Sequence, residues 1–245
     1  MNLTDLVKTS NYVVAFAGAG ISTESGIPDF RSTSGLYLSG KFEGHSPEEI
    51  LSKRFFLKDK PTFFAFYKER LHNLLNKKPN RSHHALVKLE QVGKLKCIVT
   101  QNIDNLHETA GSSKVLDLHG NGARSRCISC CEKYNYEQFS KMLEEKEVPR
   151  CFCGGVVRPD TVLFDEWLND DIFDAAYHEI KSADLVISIG SSLVVQPAAS
   201  LLSEKTPECK LVIINNTETP YDKKAALVIH ENCGDVLETL TKDIS

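Results

Sequence analysis

Several features that would assign this chain to a special class are absent from its sequence. No apolar run approaches the roughly 20 residues that a membrane-spanning helix requires, so we expect no membrane insertion. Residues 1–5 lack a basic region followed by an apolar core, so we expect no secretory signal and a cytoplasmic location. Internal repeats and low-complexity tracts are missing as well.

An excess of positive charge is also lacking. The 29 lysine and arginine residues are outnumbered by 33 aspartate and glutamate residues, and the net charge of −4 argues against nucleic acid as an obligatory partner. With 245 residues, the chain is long enough for one large domain and a small insertion. Its eight cysteines would indicate disulfides in a small secreted protein, but here they favour reduced thiols and a metal site. The oligomeric state is left open, and a monomer is compatible with the sequence.

Short apolar runs rich in β-branched residues recur along the chain and predict strands. They cover residues 12–16, 95–99, 115–118, 185–189, 211–214 and 227–229. Several lack strict alternation, as expected for strands covered on both faces of a parallel sheet, and helical patterns lie between them. We therefore predict an α/β fold with a doubly wound parallel sheet, built from residues 1–30, 81–119 and 160–245. Residues 31–80 and 120–159 depart from the alternation, and we interpret them as insertions that form a smaller domain.

A glycine motif, Gly-Ala-Gly-Ile-Ser-Thr-Glu-Ser-Gly at residues 18–26, follows the first predicted strand. The spacing of Gly18 and Gly20 lets backbone N–H groups approach a phosphate, and the N-terminus of a following helix would add a favourable dipole. As a dinucleotide fingerprint the motif is incomplete, because Thr23 takes the third glycine position and no acidic residue closes a second strand at the expected distance. A glycine turn that only packs a helix against a strand is the alternative interpretation.

The segment continues through Asp29, Phe30 and Arg31 into a loop rich in serine, threonine and glycine. Such a loop beside a phosphate site suits a lid, in which Phe30 covers a heteroaromatic ring and Arg31 pairs with phosphate or holds Asp29. The alternative is a surface loop with a salt bridge and a tucked-in phenylalanine.

Polar side chains are dense where two further predicted strands end. Asn102 and Asp104 follow one strand, and His119 follows the next. Ligands of open α/β sheets bind at such strand ends. A histidine there has a pKa near neutrality and can accept a proton from a sugar hydroxyl, although a core or capping histidine is the commoner case. Further strand ends carry residues that suit phosphate or ribose, namely Gly190, Ser191, Ser192, Asn215 and Asn216.

Two close cysteine pairs predict a metal site. Cys127 and Cys130 precede Cys151 and Cys153, and four thiolates in this pattern suit a structural zinc ion. The second pair is one residue tighter than the first, and Cys131 competes with Cys130 as a ligand. Because four thiolates leave the metal no vacancy for substrate, we expect this zinc to be structural rather than catalytic.

Taken together, these motifs resemble the sirtuin family of NAD-dependent protein deacylases, bacterial type. The resemblance rests on Gly-Ala-Gly-Ile-Ser, Gly-Ile-Pro-Asp-Phe-Arg, Thr-Gln-Asn-Ile-Asp-Asn-Leu-His, Leu-His-Gly, the cysteine pairs and Gly-Ser-Ser-Leu-Val-Val-Gln-Pro-Ala, in family order. It implies a Rossmann-like large domain, and a small domain in which residues 120–159 form a zinc ribbon and residues 31–80 a helical module. NAD and an acylated lysine of a protein or peptide would bind in the cleft between the domains.

The resemblance also implies roles for single residues. His119 would be the general base, and Asn102 and Asp104 would serve the nicotinamide end of NAD. The NAD-binding residues would be Gly18, Ala19, Gly20, Thr23, Asp29, Phe30, Arg31, Gln101, Asn102, Ile103, Asp104, His119, Gly190, Ser191, Ser192, Asn215, Asn216 and Asp235. The substrate would contact Val162, Leu163, Phe164, Val194, Tyr67 and Arg70, and zinc would bind Cys127, Cys130, Cys151 and Cys153. The implied products are free lysine, nicotinamide and O-acyl-ADP-ribose.

Three features set this chain apart within the resemblance, and the first is the Cys151-x-Cys153 spacing, which is tighter than the common family pattern. Asp165 replaces a usual glycine in the segment that pairs with the substrate backbone, where an acidic side chain would favour basic peptide flanks if it does not simply point to solvent. Tyr67 and Arg70 have the spacing found in family members that remove succinyl or malonyl groups, although a plain surface contact gives the same spacing. A mono-ADP-ribosyltransferase of the same fold is the alternative activity.

Overall fold

A computed structural model describes residues 2–29, 35, 40–71 and 76–244 of the chain, and only the backbone of residues 70 and 71. Within these residues the strands are β1 (Val13–Ala17), β2 (Leu95–Thr100), β3 (Val115–Asp117), β4 (Gly120–Cys127), β5 (Lys133–Asn135), β6 (Val157–Thr161), β7 (Leu185–Ile189), β8 (Lys210–Ile214) and β9 (Leu227–Ile229). The α-helices are α1 (Leu3–Thr9), α2 (Pro47–Ile50), α3 (Lys53–Lys58), α4 (Lys60–Phe66), α5 (Arg81–Gln91), α6 (Leu106–Ala110), α7 (Tyr136–Glu145), α8 (Asp170–Ser182) and α9 (Cys233–Ile244). Short 3₁₀ segments cover Ala19–Ser25, Ala198–Ser203 and Asp222–Lys224, and a π-helical turn covers Tyr67–Leu71.

The larger sheet has six parallel strands in the order β3-β2-β1-β7-β8-β9. Renumbered within this sheet, that is the order 3-2-1-4-5-6 of a dinucleotide-binding fold, in which the chain reverses direction across the sheet between its first and fourth strands. The predicted α/β fold with a doubly wound parallel sheet is confirmed. The reversal point here lies between β1 and β7, so this is where a ligand crevice is expected.

Strand β1 shows why the sheet is covered on both faces. All five of its residues are buried. Val13, Ala15 and Ala17 join the apolar cluster that α1, α5 and α9 cover, while Val14 and Phe16 join the opposite cluster with α8. Successive side chains of a strand point to opposite faces, so a strand between two helical layers must be apolar throughout.

None of the helices in the described residues is long and apolar enough to cross a membrane.

The smaller sheet is antiparallel, in the order β5-β4-β6. Its apolar side packs against α2, α3 and α4 in one buried cluster, which contains Phe56, Phe63 and Phe139 together with Cys127 and Cys151. The segments predicted as a helical module and a zinc ribbon therefore share a core. Strand β6 runs past the predicted limit at residue 159 to Thr161, because its end pairs with the start of β4. The division into domains at the predicted boundaries stays a prediction.

Candidate active site

Three neighbouring strands end in one row at the centre of the larger sheet. Ala17 at the end of β1 lies in register with Thr100 of β2 and Ile189 of β7. The residues that follow, Gly18, Gln101 and Gly190, therefore begin three loops at one edge of the sheet. The sequence predicted functional roles for all three of these positions.

The glycine loops of β1 and β7 touch backbone to backbone. The N–H of Gly20 donates to the carbonyl of Gly190 over 2.8 Å. A Cβ atom on Gly18 or Gly20 would lie 2.8 Å from that same carbonyl oxygen, and Gly190 itself has a φ of +60°. Only glycine allows this approach without a shift of the backbone. The N–H groups of Gly18, Gly20 and Gly190 all donate to protein carbonyls, so a phosphate in the cradle formed by these two glycine loops would have to meet other backbone groups.

The helix expected after this cradle differs from the prediction. Residues Ala19–Ser25 form a seven-residue 3₁₀ segment instead of an α-helix. The dipole of so short and tightly wound a segment is small, so backbone N–H groups would contribute more to anion binding here than a helix dipole. Asn80, the N-cap of α5, holds the segment in place by donating to the carbonyl of Ile21 over 2.8 Å and to the Ser25 hydroxyl over 3.0 Å.

A buried hydrogen-bonded group connects the first loop to the second. The Ser22 hydroxyl donates to the Asp104 carboxylate over 2.6 Å. The Asn102 side-chain amide donates to that hydroxyl and to the Gly18 carbonyl, both over 3.2 Å. Asn102 and Asp104 are only 7% and 6% exposed. The structure thus brings the predicted Asn102 and Asp104 together through Ser22, a residue of the glycine motif for which the sequence predicted no role.

The environment of Asp104 alters its acidity. Burial raises the pKa of this carboxyl above its ordinary value, while the hydrogen bond from Ser22 acts in the opposite direction. A backbone N–H bond from Leu106, over 3.0 Å, satisfies the second carboxylate oxygen and starts helix α6. The carboxylate is therefore fixed in direction as well as kept from bulk water, which strengthens its electrostatic effect on any charge nearby.

His119 follows β3 on the same edge of the sheet. Its Nδ1 lies 2.9 Å from the carbonyl oxygen of Gln101. A carbonyl can only accept, so Nδ1 carries the hydrogen and Nε2 of the neutral ring is left as the proton acceptor. Burial lowers the pKa of His119, and the bond to Gln101 acts against that shift. The ring is held in the tautomer that a general base needs.

Other predicted NAD residues lie along the same edge. The Gln101 side-chain amide donates to the Ser191 hydroxyl over 2.9 Å and so joins the second loop to the third. Ile103 accepts a bond from the Gly122 N–H through its carbonyl over 2.8 Å. Asn215 follows β8, whose end is in register with that of β7, and its amide donates to the Thr217 carbonyl over 2.7 Å. Ser192 and Asn216 continue these loops.

The remaining predicted NAD residues are placed less centrally. Thr23 bonds within its own turn to the Gly20 carbonyl over 3.0 Å. The Asp235 carboxylate, in the first turn of α9, pairs with Arg81 over 2.6 Å. Asp29 is half-buried near the start of the predicted lid. Phe30 and Arg31 lie outside the described residues, so their predicted roles stay predictions.

The segment predicted to contact substrate begins beside His119. The N–H of Val162 donates to the His119 carbonyl over 2.8 Å. Further on, Phe164 bonds to the N–H of Lys53 through its carbonyl over 2.8 Å. These bonds attach the segment both to the sheet edge that carries His119 and to the start of α3. Val194, the other predicted substrate residue, is exposed in the loop after β7.

An ion pair that the sequence did not predict shapes the end of this segment. Arg158 donates to both carboxylate oxygens of Glu166 over 2.8 Å, and Glu166 accepts the Leu163 N–H over 2.9 Å. Asp165 has a φ of +66°, a left-handed conformation that aspartate tolerates better than most residues. Trp167, the one tryptophan of the chain, follows with 94% of its surface exposed.

Tyr67 lies in the core of the smaller domain. It is 3% exposed, with its ring stacked near Phe63 and edge-on to Phe139 at a centroid distance of 5.9 Å. Burial raises the pKa of its phenol. The surface contact considered for Tyr67 is therefore wrong, and most of the ring serves packing. The side chain of Arg70 lies outside the described residues.

The four predicted cysteine ligands form one cluster. Their sulfur atoms all lie within 4.8 Å of one another, with 3.6 Å between Cys127 and Cys153 and 3.5 Å between Cys130 and Cys151. A tetrahedral zinc ion with bonds of about 2.3 Å needs sulfur atoms about 3.8 Å apart, so the residues fit this metal. The Cys130 N–H is the largest of the influences that lower the pKa of the Cys127 thiol, and the pKa of Cys151 is lowered as well, whereas hydrogen bonds with neighbouring thiols raise those of Cys130 and Cys153. Cys131 is not part of the cluster found among the described residues.

Together, the sheet order, the glycine cradle and the thiol cluster define an α/β protein of the dinucleotide-binding class with an inserted metal ribbon. Comparison with known proteins makes the assignment specific. The model of the Sir2 family matches residues 18–197. The NAD-dependent protein deacetylase of Clostridium tetani is 46% identical over 245 residues, covering 99% of this chain and 97% of that protein. The enzyme of the same name from Clostridium perfringens is 48% identical, covering 96% of this chain and 95% of that protein.

Solved structures agree with the sequence comparison. A Sir2 structure with a p53 peptide and NAD+ is similar with a TM-score of 0.89 and 40% identity, covering 98% of this chain and 97% of that one. A Sir2 protein bound to a propionylated peptide is similar with a TM-score of 0.87 and 38% identity, covering 98% and 95%. The chain belongs to the Sir2 family, the sirtuins, as its motifs predicted.

Ser22 provides a test of the buried group. In Ser22→Ala we expect the free energy of unfolding to fall by about 1–3 kcal/mol, because Asp104 loses a donor and Asn102 loses an acceptor away from water. Binding of NAD should weaken as well, since the same group fixes the first loop. Urea unfolding and calorimetric titration with NAD measure the two effects. Ser182→Ala, at the exposed end of α8, is the matched control, and equal behaviour of the two variants would contradict the role of Ser22.

Proposed function

We propose that this protein is an NAD-dependent protein-lysine deacylase that acts on acetyl-lysine. The products would be the free lysine, nicotinamide and O-acyl-ADP-ribose. One observation carries the proposal. The Gln101 carbonyl fixes the hydrogen of the His119 ring on Nδ1, which leaves Nε2 as the base, and the His119 carbonyl accepts the N–H of Val162 in the segment where an acyl-lysine peptide would lie. The cytoplasmic location, and the expectation of no nucleic-acid or membrane partner, stay predictions from the sequence.

NAD, when bound, supplies a glycosidic bond whose cleavage releases a good leaving group next to the acyl amide. The loops after β1 and β7 suit its pyrophosphate, because glycines bring these two loops together at the point where the strand order reverses. Asn102 and Asp104 suit the nicotinamide end, where positive charge develops on the sugar. A carboxylate fixed by Ser22 and Leu106 needs no reorientation to oppose that charge.

The task of His119 is to take one proton. Its neutral ring leaves Nε2 as the proton acceptor, while the hydrogen on Nδ1 is engaged with the Gln101 carbonyl. A ribose hydroxyl that loses its proton to Nε2 becomes the nucleophile needed for acyl transfer. The charge that then forms on the ring is stabilised by the hydrogen bond at Nδ1, which strengthens when the donor is cationic.

The peptide would lie along residues 162–166 as an added strand. Backbone hydrogen bonds give such a complex its affinity with little demand on sequence. Arg158 and Glu166 hold the turn at the end of this segment. Burial raises the pKa of Glu166, but the hydrogen bonds from Arg158 and from the Leu163 N–H, with the nearby positive charges, together keep it below the ordinary value. The carboxylate is therefore charged, and the turn fixed, at neutral pH.

The basic experiment incubates the protein with NAD and an acetyl-lysine peptide and follows peptide mass and nicotinamide release together. We expect both products in equal amounts from the parent protein. In His119→Ala we expect deacetylation to fall by at least about 100-fold, since general base catalysis contributes on the order of 10²–10⁴. The fold and NAD binding should be retained.

The matched control is His178→Ala, whose ring is exposed on α8. It should keep full activity. Full activity in His119→Ala would sink the assignment of the base. Nicotinamide release with ADP-ribose attached to the peptide, and no loss of the acetyl group, would instead identify a mono-ADP-ribosyltransferase.

The pH profile follows from the lowered pKa of His119. Only the neutral ring can accept a proton. Because burial lowers the pKa of His119, the ring stays neutral at pH values somewhat below the ordinary pKa of about 6.5. We therefore expect the acid limb of kcat/KM to lie below pH 6.5, so that activity changes little between about pH 7 and pH 8. Initial rates of the parent protein and of His178→Ala, measured from below about pH 6.5 up to about pH 8, locate this acid limb. An acid limb above pH 6.5 would contradict the environment assigned to His119.

Acyl preference is the finer part of the proposal. The Tyr67 and Arg70 spacing supports a second activity on succinyl- or malonyl-lysine, whereas the burial of Tyr67 favours acetyl as the principal group. We expect an acetyl-lysine peptide to react faster than its succinyl counterpart, with kcat/KM measured by peptide mass. Arg70→Met should remove any succinyl turnover and leave acetyl turnover unchanged. Faster succinyl turnover by the parent protein would reverse the assigned preference.

A further inference from the structure

The thiol cluster receives hydrogen bonds from two kinds of donor. The first kind is backbone within the cysteine loops themselves. The N–H of Ser129 lies 3.4 Å from the Cys127 sulfur, and the N–H of Gly155 lies 3.4 Å from the Cys153 sulfur. Ser129 and Gly155 are each two residues after the cysteine that they serve, so these contacts follow from the tight turns that the metal pattern requires.

The second kind of donor is the Tyr134 hydroxyl, which lies 3.1 Å from the Cys151 sulfur. Tyr134 belongs to β5, 17 residues away from Cys151 along the chain, and is positioned opposite Ser125 in the antiparallel pairing with β4. Its ring packs against the apolar cluster of the smaller domain, and Cys151 is itself buried there. The Tyr134 hydroxyl therefore reaches the Cys151 sulfur because of the tertiary fold, and this contact is not a by-product of the turns in the cysteine loops.

We propose that Tyr134 is a positioning residue for the zinc ion, one whose hydroxyl holds the Cys151 thiolate in its ligating orientation and offsets part of its charge. Four thiolates around one Zn²⁺ leave two excess negative charges in a partly buried place, where donors to sulfur are valuable. Partners of metal ligands typically change metal affinity by about 10–100-fold when removed. The inference concerns metal retention and is independent of the proposed deacylase activity.

The test compares zinc-loaded parent protein with Tyr134→Phe, which keeps the ring and removes the hydroxyl. Excess chromogenic chelator is added, and the rate of zinc transfer is followed by absorbance. We expect Tyr134→Phe to release zinc at least about tenfold faster than the parent. Tyr177→Phe, which loses a hydroxyl bonded to Lys181 on α8, should release zinc at the parent rate.

A second measurement separates an effect at sulfur from a general loosening of the fold. In the Co²⁺-substituted proteins, loss of a hydrogen bond to a thiolate should move the sulfur-to-cobalt charge-transfer band to longer wavelength. We expect this shift in Tyr134→Phe and none in Tyr177→Phe. Equal release rates, or an unshifted band, would overturn the inference. So would a changed circular dichroism spectrum of zinc-loaded Tyr134→Phe, because the hydroxyl is assigned a role at the metal and none in packing.

Discussion

The contact between the Gly20 and Gly190 backbones is the constraint on which the rest of the site depends. It closes the point at which the chain reverses across the sheet, and it leaves no volume for a Cβ atom on either side. Because β1 and β7 are also the central strands, their loops cannot separate without disturbing the buried core on both faces. The cradle is therefore as rigid as the sheet, and a ligand would meet it already formed, at little entropic cost.

A short chain of hydrogen bonds connects the rigid glycine loops to the side chains that would take part in the reaction. Ser22 links the first loop to Asn102 and Asp104, and Gln101 links the second loop both to Ser191 and to His119. Each of these residues has partners inside the protein, so each occupies one orientation before any ligand arrives. Preorganised polar groups of this kind are effective because they oppose developing charge without having to rotate.

The sequence was sufficient for the sheet and for most of the residues at its edge. Fully apolar runs such as 185–189 predict buried parallel strands because hardly any other environment suits them, and polar residues at their ends then fall into one row. The features that the sequence did not predict depend on how the folded chain brings particular side chains together. The 3₁₀ geometry of Ala19–Ser25 and the bond from Ser22 to Asp104 depend on partners distant in sequence, whereas the pair of Arg158 with Glu166 depends on the turn that the chain makes between them. The burial of Tyr67 likewise depends on α7, which packs against it only in the folded chain.

Trp167 gives this molecule a built-in optical probe. It is the chain's single tryptophan, and its indole is almost wholly in water at the end of the segment that begins at His119. Light absorbed by tryptophan alone therefore reports on one known point, with no label and no background from the core. A partner that covers this point would shift the emission to shorter wavelength, whereas events confined to the metal ribbon or the far side of the sheet would leave it unchanged.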